Sequence, residues 1–180
     1  TGSVGGQYNL AAVSPHKEHL AENMVQMGVR ATRAGVDLRL YTKADQARIK
    51  KLKPDFVIIA TGSDFAAPPV EGTEYGISAW DFLSHNTFVP TEDVAIIGGG
   101  LTAMEVMDIL AKNGKKVTII EMADAIARDM EFYVRPYFNA IIDEFNITVL
   151  TNTKCIQIGD GYVIVEQNGA QKKLEFGTVV

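Results

Sequence analysis

A single cysteine, Cys155, stands among 180 residues, so no disulfide, cysteine zinc cage or Cys-x-x-Cys redox pair can form within the chain. No apolar run approaches the roughly 20 residues needed to span a bilayer. Lys and Arg are outnumbered by Asp and Glu, 17 to 22, and no long basic block occurs, which argues against nucleic acid as a main partner. The six prolines and 16 glycines follow no collagen-like or low-complexity pattern, and a 47% hydrophobic content excludes a disordered tail. Histidine is also scarce. His16, His19 and His85 have no acid and nucleophile at useful spacing, so no catalytic side chain is assigned, and His16 and His19 read as solvated. Asp124, Asp129, Glu131, Asp143 and Glu144 are scattered over a loop and a helix surface, and no metal site is assigned to them. Residues 1–6 are polar and glycine-rich, without signal-peptide character, which makes the cytoplasm the expected compartment.

What is present is an alternation of apolar runs with helix-period stretches, the mark of α/β architecture. Ser14 and Pro15 form a helix start, Ser14 as cap, for a helix running to about Ala34, with Gly35 placed to stop it. A short strand is expected over 36–41, a helix over 42–53 ended by Pro54, and a buried parallel strand over 56–60. Prolines, glycines and polar residues mark 66–92 as a linker, with one helical turn at 79–83. A strand at 94–97, a helix at 101–113 and a strand at 117–121 follow. Then come a helix over 130–145 containing Pro136, a strand at 147–150, and a meander over 154–158, 162–166 and 172–176. Val179 and Val180 begin another apolar strand. Cys155 reads as a buried, inert thiol, and Met104 and Met107 as core residues at helical spacing.

The chemistry concentrates at Gly98, Gly100 and Ala103, spaced as G-x-G-x-x-A after a strand and at the opening of a helix. The first glycine permits a tight turn, the second lets a pyrophosphate approach the backbone, and the small third residue lets helix pack on strand. The helix start adds unpaired N–H groups and partial positive charge. Glu121, at the end of the next strand, stands 18 residues after Ala103, where an acid can bind the two ribose hydroxyls of NAD. These residues predict a dinucleotide site with backbone contacts at Gly98, Gly99, Gly100, Leu101, Thr102 and Ala103. The alternative is a glycine turn that binds nothing. Glu121 would repel a 2′-phosphate and points to NADH, although Arg128 could fold back to receive one. Residues 57–63, reading VIIATGS, are either a strand and turn or a strand whose end borders a ligand.

Taken together, GGQYNLAA at 5–12, ATG at 60–62, GGGLTAMEV at 98–106, VTIIEM at 117–122 and LTNTK at 150–154 resemble one family. This is the C-terminal FAD/NAD(P)-binding portion of the 2,4-dienoyl-CoA reductase / NADH:flavin oxidoreductase group. These are iron–sulfur flavoproteins with an old-yellow-enzyme-like barrel, within the pyridine nucleotide-disulfide oxidoreductase superfamily. The resemblance implies a longer parent protein in which NAD(P)H reduces FAD and electrons pass through a 4Fe-4S cluster to FMN and on to an enoyl-type substrate. It places FMN and the cluster outside this chain. By the same resemblance Gly5, Gly6, Gln7, Thr61 and Gly62 would border FAD, and Glu105 would either face the nicotinamide or be solvated. The family's first glycine fingerprint is absent, so 1–65 is expected to be part of a Rossmann-like FAD-type domain. Residues 93–180 are expected to be a Rossmann-like NAD(H) domain with a β-meander, cut just before its return to the FAD domain.

The expected function is an NADH-binding module that passes hydride to FAD, inactive by itself. The alternative is a non-catalytic scaffold that binds ADP or another nucleotide. Expected partners are the dinucleotide and the rest of the parent flavoprotein, with neither nucleic acid nor a membrane among them. A second copy of the chain is also a candidate partner.

Overall fold

Val94, Ala95 and Ile96, and beside them Val117, Ile119 and Ile120, are buried, as expected of strands covered on both faces. They form β1 (Asp93–Ile97) and β2 (Lys116–Ile120), which run parallel in register from Asp93↔Lys116 to Ile97↔Ile120. The computed structural model describes residues 2–85, 87–128 and 130–180. Asp129, one of the acids considered above, lies outside these residues, as does the side chain of His85.

The chain divides into two compact units, one ending at Phe65 and one running Ala66–Val180. In the second, β1 and β2 are flanked by β3 (Thr148–Leu150) and β7 (Thr178–Val179), giving a four-stranded parallel sheet in the order β3-β2-β1-β7. The crossover from β1 to β2 is helix α5 (Leu101–Lys112), which buries Met104, Val106, Met107, Asp108, Leu110 and Ala111. The crossover from β2 to β3 contains α6 (Arg135–Glu144). The expected helix over 130–145 is thus shorter, because Pro136 lies in its first turn and acts as a start residue. Beyond β3 the meander forms as expected: β4 (Lys154–Gly159), β5 (Tyr162–Gln167) and β6 (Ala170–Glu175), antiparallel. Its apolar face meets the parallel sheet in a cluster of Ala95, Ile120, Cys155, Ile158, Val163, Val165 and Val179. Burial pushes the Cys155 thiol pKa up, and its Sγ lies 3.6 Å from the Gln157 carbonyl, so the thiol is kept from reacting.

Residues 66–92, read from sequence as a linker, pack within this second unit. The Ile158 N–H donates to the Glu71 carbonyl at 2.8 Å, and the Ile77 N–H to that of Val179 at 2.9 Å. The short helix α4 (Ala79–His85) is capped by the Ser78 hydroxyl, which accepts from the Asp81 N–H at 3.0 Å, and it buries Phe82 and Leu83.

The unit ending at Phe65 holds α1 (Tyr8–Ala11), α2 (His19–Arg33) and α3 (Gln46–Leu52), and no strand among its described residues. Asp45 caps α3, its side chain accepting from the Arg48 N–H at 2.9 Å. Four expected elements are corrected here. The helix expected from Ser14 begins at His19, and the buried Ser14 hydroxyl caps nothing. The helix expected over 42–53 is trimmed to 46–52. The strands expected at 36–41 and 56–60 are absent: Phe56, Ile58 and Ile59 are 91%, 89% and 85% exposed. A strand exists by pairing, and no described segment of this unit offers a partner ladder.

Candidate dinucleotide site

Ligands of open parallel sheets gather beyond the carboxyl ends of the strands. The β1–β2 register sets Ile97 beside Ile120, so the residues that follow, Gly98 and Glu121, emerge side by side; the Gly98 N–H donates to the Ile120 carbonyl at 2.9 Å. Gly98 has φ +99°, a backbone conformation that L side chains rarely adopt, and this explains the first glycine of the fingerprint. Gly100 is extended, at φ −76° and ψ −176°, and acts as N-cap of α5. It needs no glycine for backbone reasons. A Cβ built at Gly98 or Gly100 would nevertheless meet nothing within 4 Å, so the space beside the turn is open.

Helix α5 begins here, and its first internal bond runs from the Met104 N–H to the Gly100 carbonyl at 3.2 Å. The N–H groups of Leu101, Thr102 and Ala103 therefore have no acceptor inside the helix and lie at its N-terminal end, where the helix dipole is positive. Leu101 and Thr102 are exposed, and Ala103 and Glu105 half-buried.

Glu121 stands one residue past the end of β2, and its carboxylate is held at both oxygens. Oε2 accepts from the Gly99 N–H at 2.6 Å and Oε1 from the Ala123 N–H at 2.6 Å. The Gly99 amide is thereby turned toward Glu121, leaving the unbonded helix-start donors to residues 101–103. Gly99 is also closely covered: a Cβ there would sit 2.6 Å from Ile126 Cγ2, and its carbonyl accepts from the Ala127 N–H at 2.6 Å. The fingerprint spacing does not reveal Ile126 or Ala127, since neither belongs to a motif. Arg128 is engaged by Asp124 in an ion pair. Among the described residues no three His, Cys, Asp or Glu side chains converge as a metal site.

In the other unit, Gly5 and Gly6 have φ +109° and +50° and lead into α1. The Gln7 side-chain amide donates to the Ser63 carbonyl at 2.7 Å and lies 2.8 Å from the Ser63 hydroxyl, so the glycine loop and the turn at Thr61 and Gly62 meet. The described residues of this unit contain no glycine turn at the start of a long helix: α1 has four residues, and α2 begins at His19, with Glu18 as N-cap and no side-chain cap. They do not fit the pyrophosphate of a second dinucleotide.

Residues 4–180 match the family model for pyridine nucleotide-disulphide oxidoreductase. The chain is 33% identical over 180 residues to the bilirubin reductase of Mediterraneibacter gnavus, covering 99% of this chain and 28% of that protein. It is 41% identical over 133 residues to the NADH oxidase of Thermoanaerobacter brockii, covering 71% and 20%. Among solved structures, a 2-naphthoyl-CoA reductase in complex with 2-naphthoyl-CoA superposes with a TM-score of 0.89 at 26% identity, over 99% of this chain and 27% of that one. The chain spans less than a third of the length of each of these relatives.

Proposed function

The chain belongs to the pyridine nucleotide-disulphide oxidoreductase family, and from that premise we propose that it is the NADH-binding module of a longer, cytoplasmic flavin-dependent oxidoreductase. The observation that carries this reading is the glycine turn itself: open space beside Gly98 and Gly100, the start of α5 directly after them, and the Glu121 carboxylate bonded to the Gly99 amide. The N–H groups of Leu101, Thr102 and Ala103 would receive the pyrophosphate, an anion that a helix N-terminus favours through its dipole and its unpaired donors. Glu121 would accept hydrogen bonds from the adenosine ribose while keeping the Gly99 amide. Each carboxylate oxygen has more than one lone-pair site, so both tasks are compatible. Engagement of Arg128 by Asp124 supports NADH over NADPH, because Asp124 would compete with a 2′-phosphate for the guanidinium. Glu105, one turn into α5, would lie toward the nicotinamide end.

Reduced nicotinamide, when bound, supplies a hydride, and the chain's task is to hold it in a fixed orientation toward an acceptor. In this reading Gly5, Gly6, Gln7, Thr61 and Gly62 would border the flavin of the longer protein. With one cysteine, the chain cannot itself ligate a four-cysteine iron–sulfur cluster, so such a cluster would lie elsewhere in the parent, as FMN would by the family resemblance. The bilirubin and 2-naphthoyl-CoA named for two of the relatives would likewise meet other parts of those proteins.

The test is a fluorescence titration of the chain with NADH, NADPH and ADP side by side. Saturable binding that favours NADH, and is abolished by Gly100→Val, is expected. Gly100 has ordinary backbone angles, so the new side chain fills the open space without straining the turn. Equal, weak binding of all three would favour a scaffold domain that retains the fold without the task. Added FAD is expected not to support NADH oxidation at an enzyme-like rate, because the first unit offers no cradle for its phosphates.

A further inference from the structure

The middle glycine is held on three sides, and one of them depends on a residue with no place in any fingerprint. Ile126 covers the Gly99 Cα, and the Ala127 N–H binds the Gly99 carbonyl. Ala127 is buried and has φ +48°, a left-handed conformation that L side chains rarely adopt. Something must hold the loop in that shape. Arg135, the first residue of α6, provides it: one guanidinium nitrogen donates to the carbonyls of Ala127 at 3.1 Å and Arg128 at 3.2 Å. Its Nε reaches the Met130 carbonyl at 3.5 Å, the longest of the three contacts. Three carbonyls of one short loop are thus gathered on a planar, permanently charged group, which suits such a task better than an ammonium does.

We propose that Arg135 is a positioning residue for the dinucleotide turn: it fixes the loop that carries Ile126 and Ala127, and that loop fixes Gly99 and so the start of α5. The inference rests on the functional reading above and adds to it a residue remote from the ligand. A disordered loop would let Gly99 turn away, and the donors at 101–103 would lose the geometry that receives phosphate. Arg135 would touch no cofactor atom and would act only through the loop.

Two measurements on the 180-residue chain separate the clamp from its purpose. Hydrogen exchange at the Ala127 amide, without ligand, reads the clamp. NADH affinity reads what the clamp is for. Arg135→Ala is expected to speed Ala127 exchange and to weaken NADH binding about 10-fold, the loss of a single charge-assisted contact in free-energy terms. Arg135→Lys is expected to restore part of each. Tyr137→Phe, on the same helix and bonded to Asp108 of α5, is expected to lower stability and leave NADH affinity unchanged. A purely structural Arg135 would behave like Tyr137. Unchanged Ala127 exchange in Arg135→Ala would overturn the clamp. Faster exchange with unchanged NADH affinity would overturn the positioning role. A wild-type chain that binds no NADH would overturn the functional reading, and the exchange result would then stand alone as a statement about the loop.

Discussion

Gly99 is a glycine because of what lies against it. Its φ is not among the positive values of the chain, so the constraint is spatial: Ile126 Cγ2 occupies the place of a Cβ. Gly99→Ala is therefore expected to destabilise the second unit by about 1–3 kcal/mol through overpacking. Ile126→Ala in the same chain should recover much of that loss, and a double-mutant cycle of denaturant midpoints measures the coupling. Independent, additive effects would contradict the contact. Glu121 carries a related lesson. An acid after the second strand is legible from spacing alone, and its use as acceptor for the Gly99 and Ala123 amides is not. Replacing it to alter cofactor preference would strip two backbone N–H groups of their partner.

At the scale of elements, α5 and α6 are joined by a network of three side chains. Asp108 is buried. It accepts from the Tyr137 hydroxyl at 2.6 Å and pairs with Lys112 Nζ at 2.9 Å, while Lys112 also donates to the Tyr137 oxygen at 2.8 Å. Burial, then the bond to Asp108, raises the Tyr137 pKa above its usual value, with Lys112 acting in the opposite sense. For Lys112 burial works against the charge, but its bonds to Tyr137 and Asp108 and the charge of Asp108 outweigh it and raise the pKa. Both groups hold their protons more tightly folded than unfolded. Their contribution is thus complete below about pH 10 and is lost as pH rises through the folded values. The unfolding free energy of the second unit is expected to fall above pH 10, and to fall less steeply in Tyr137→Phe. Equal slopes for the two chains would remove Tyr137 from the account. Elements were read well where strands had partners nearby in the sequence. They were misread at 36–41 and 56–60, where alternation and apolarity describe what a segment could bury but not whether a ladder exists for it to join.

The two units of the molecule differ in what holds them. Among the described residues up to Phe65 only Ala12 and Ser14 are buried, whereas β1, β2 and α5 carry a continuous apolar core. Cooperative stability follows buried apolar area, so the units should not share one melting transition. Hydrogen-exchange mass spectrometry is expected to find strong protection in 93–97, 104–111 and 116–120 and little anywhere in 2–65. Comparable protection in both would show that the first unit has a source of stability beyond the packing described. The α/β class, the second-unit strands and the glycine turn were all legible before any coordinates, since each rests on local pattern: apolar runs of strand length, helical periodicity, and glycines where a turn needs them.

The sequence by itself determined the local pattern of the candidate site, because a dinucleotide cradle would be built largely from one contiguous segment, 98–103, and from an acid at a set distance along the chain. Tertiary structure decided how that site is held. It brought Glu121 to the Gly99 amide through the β1–β2 register, laid Ile126 and Ala127 on the middle glycine, and set Arg135 behind them. It also decided that two strand-like segments stay unpaired. These contacts join residues separated by turns and crossovers, and no local propensity records which distant backbone group a side chain will meet once the chain has closed on itself.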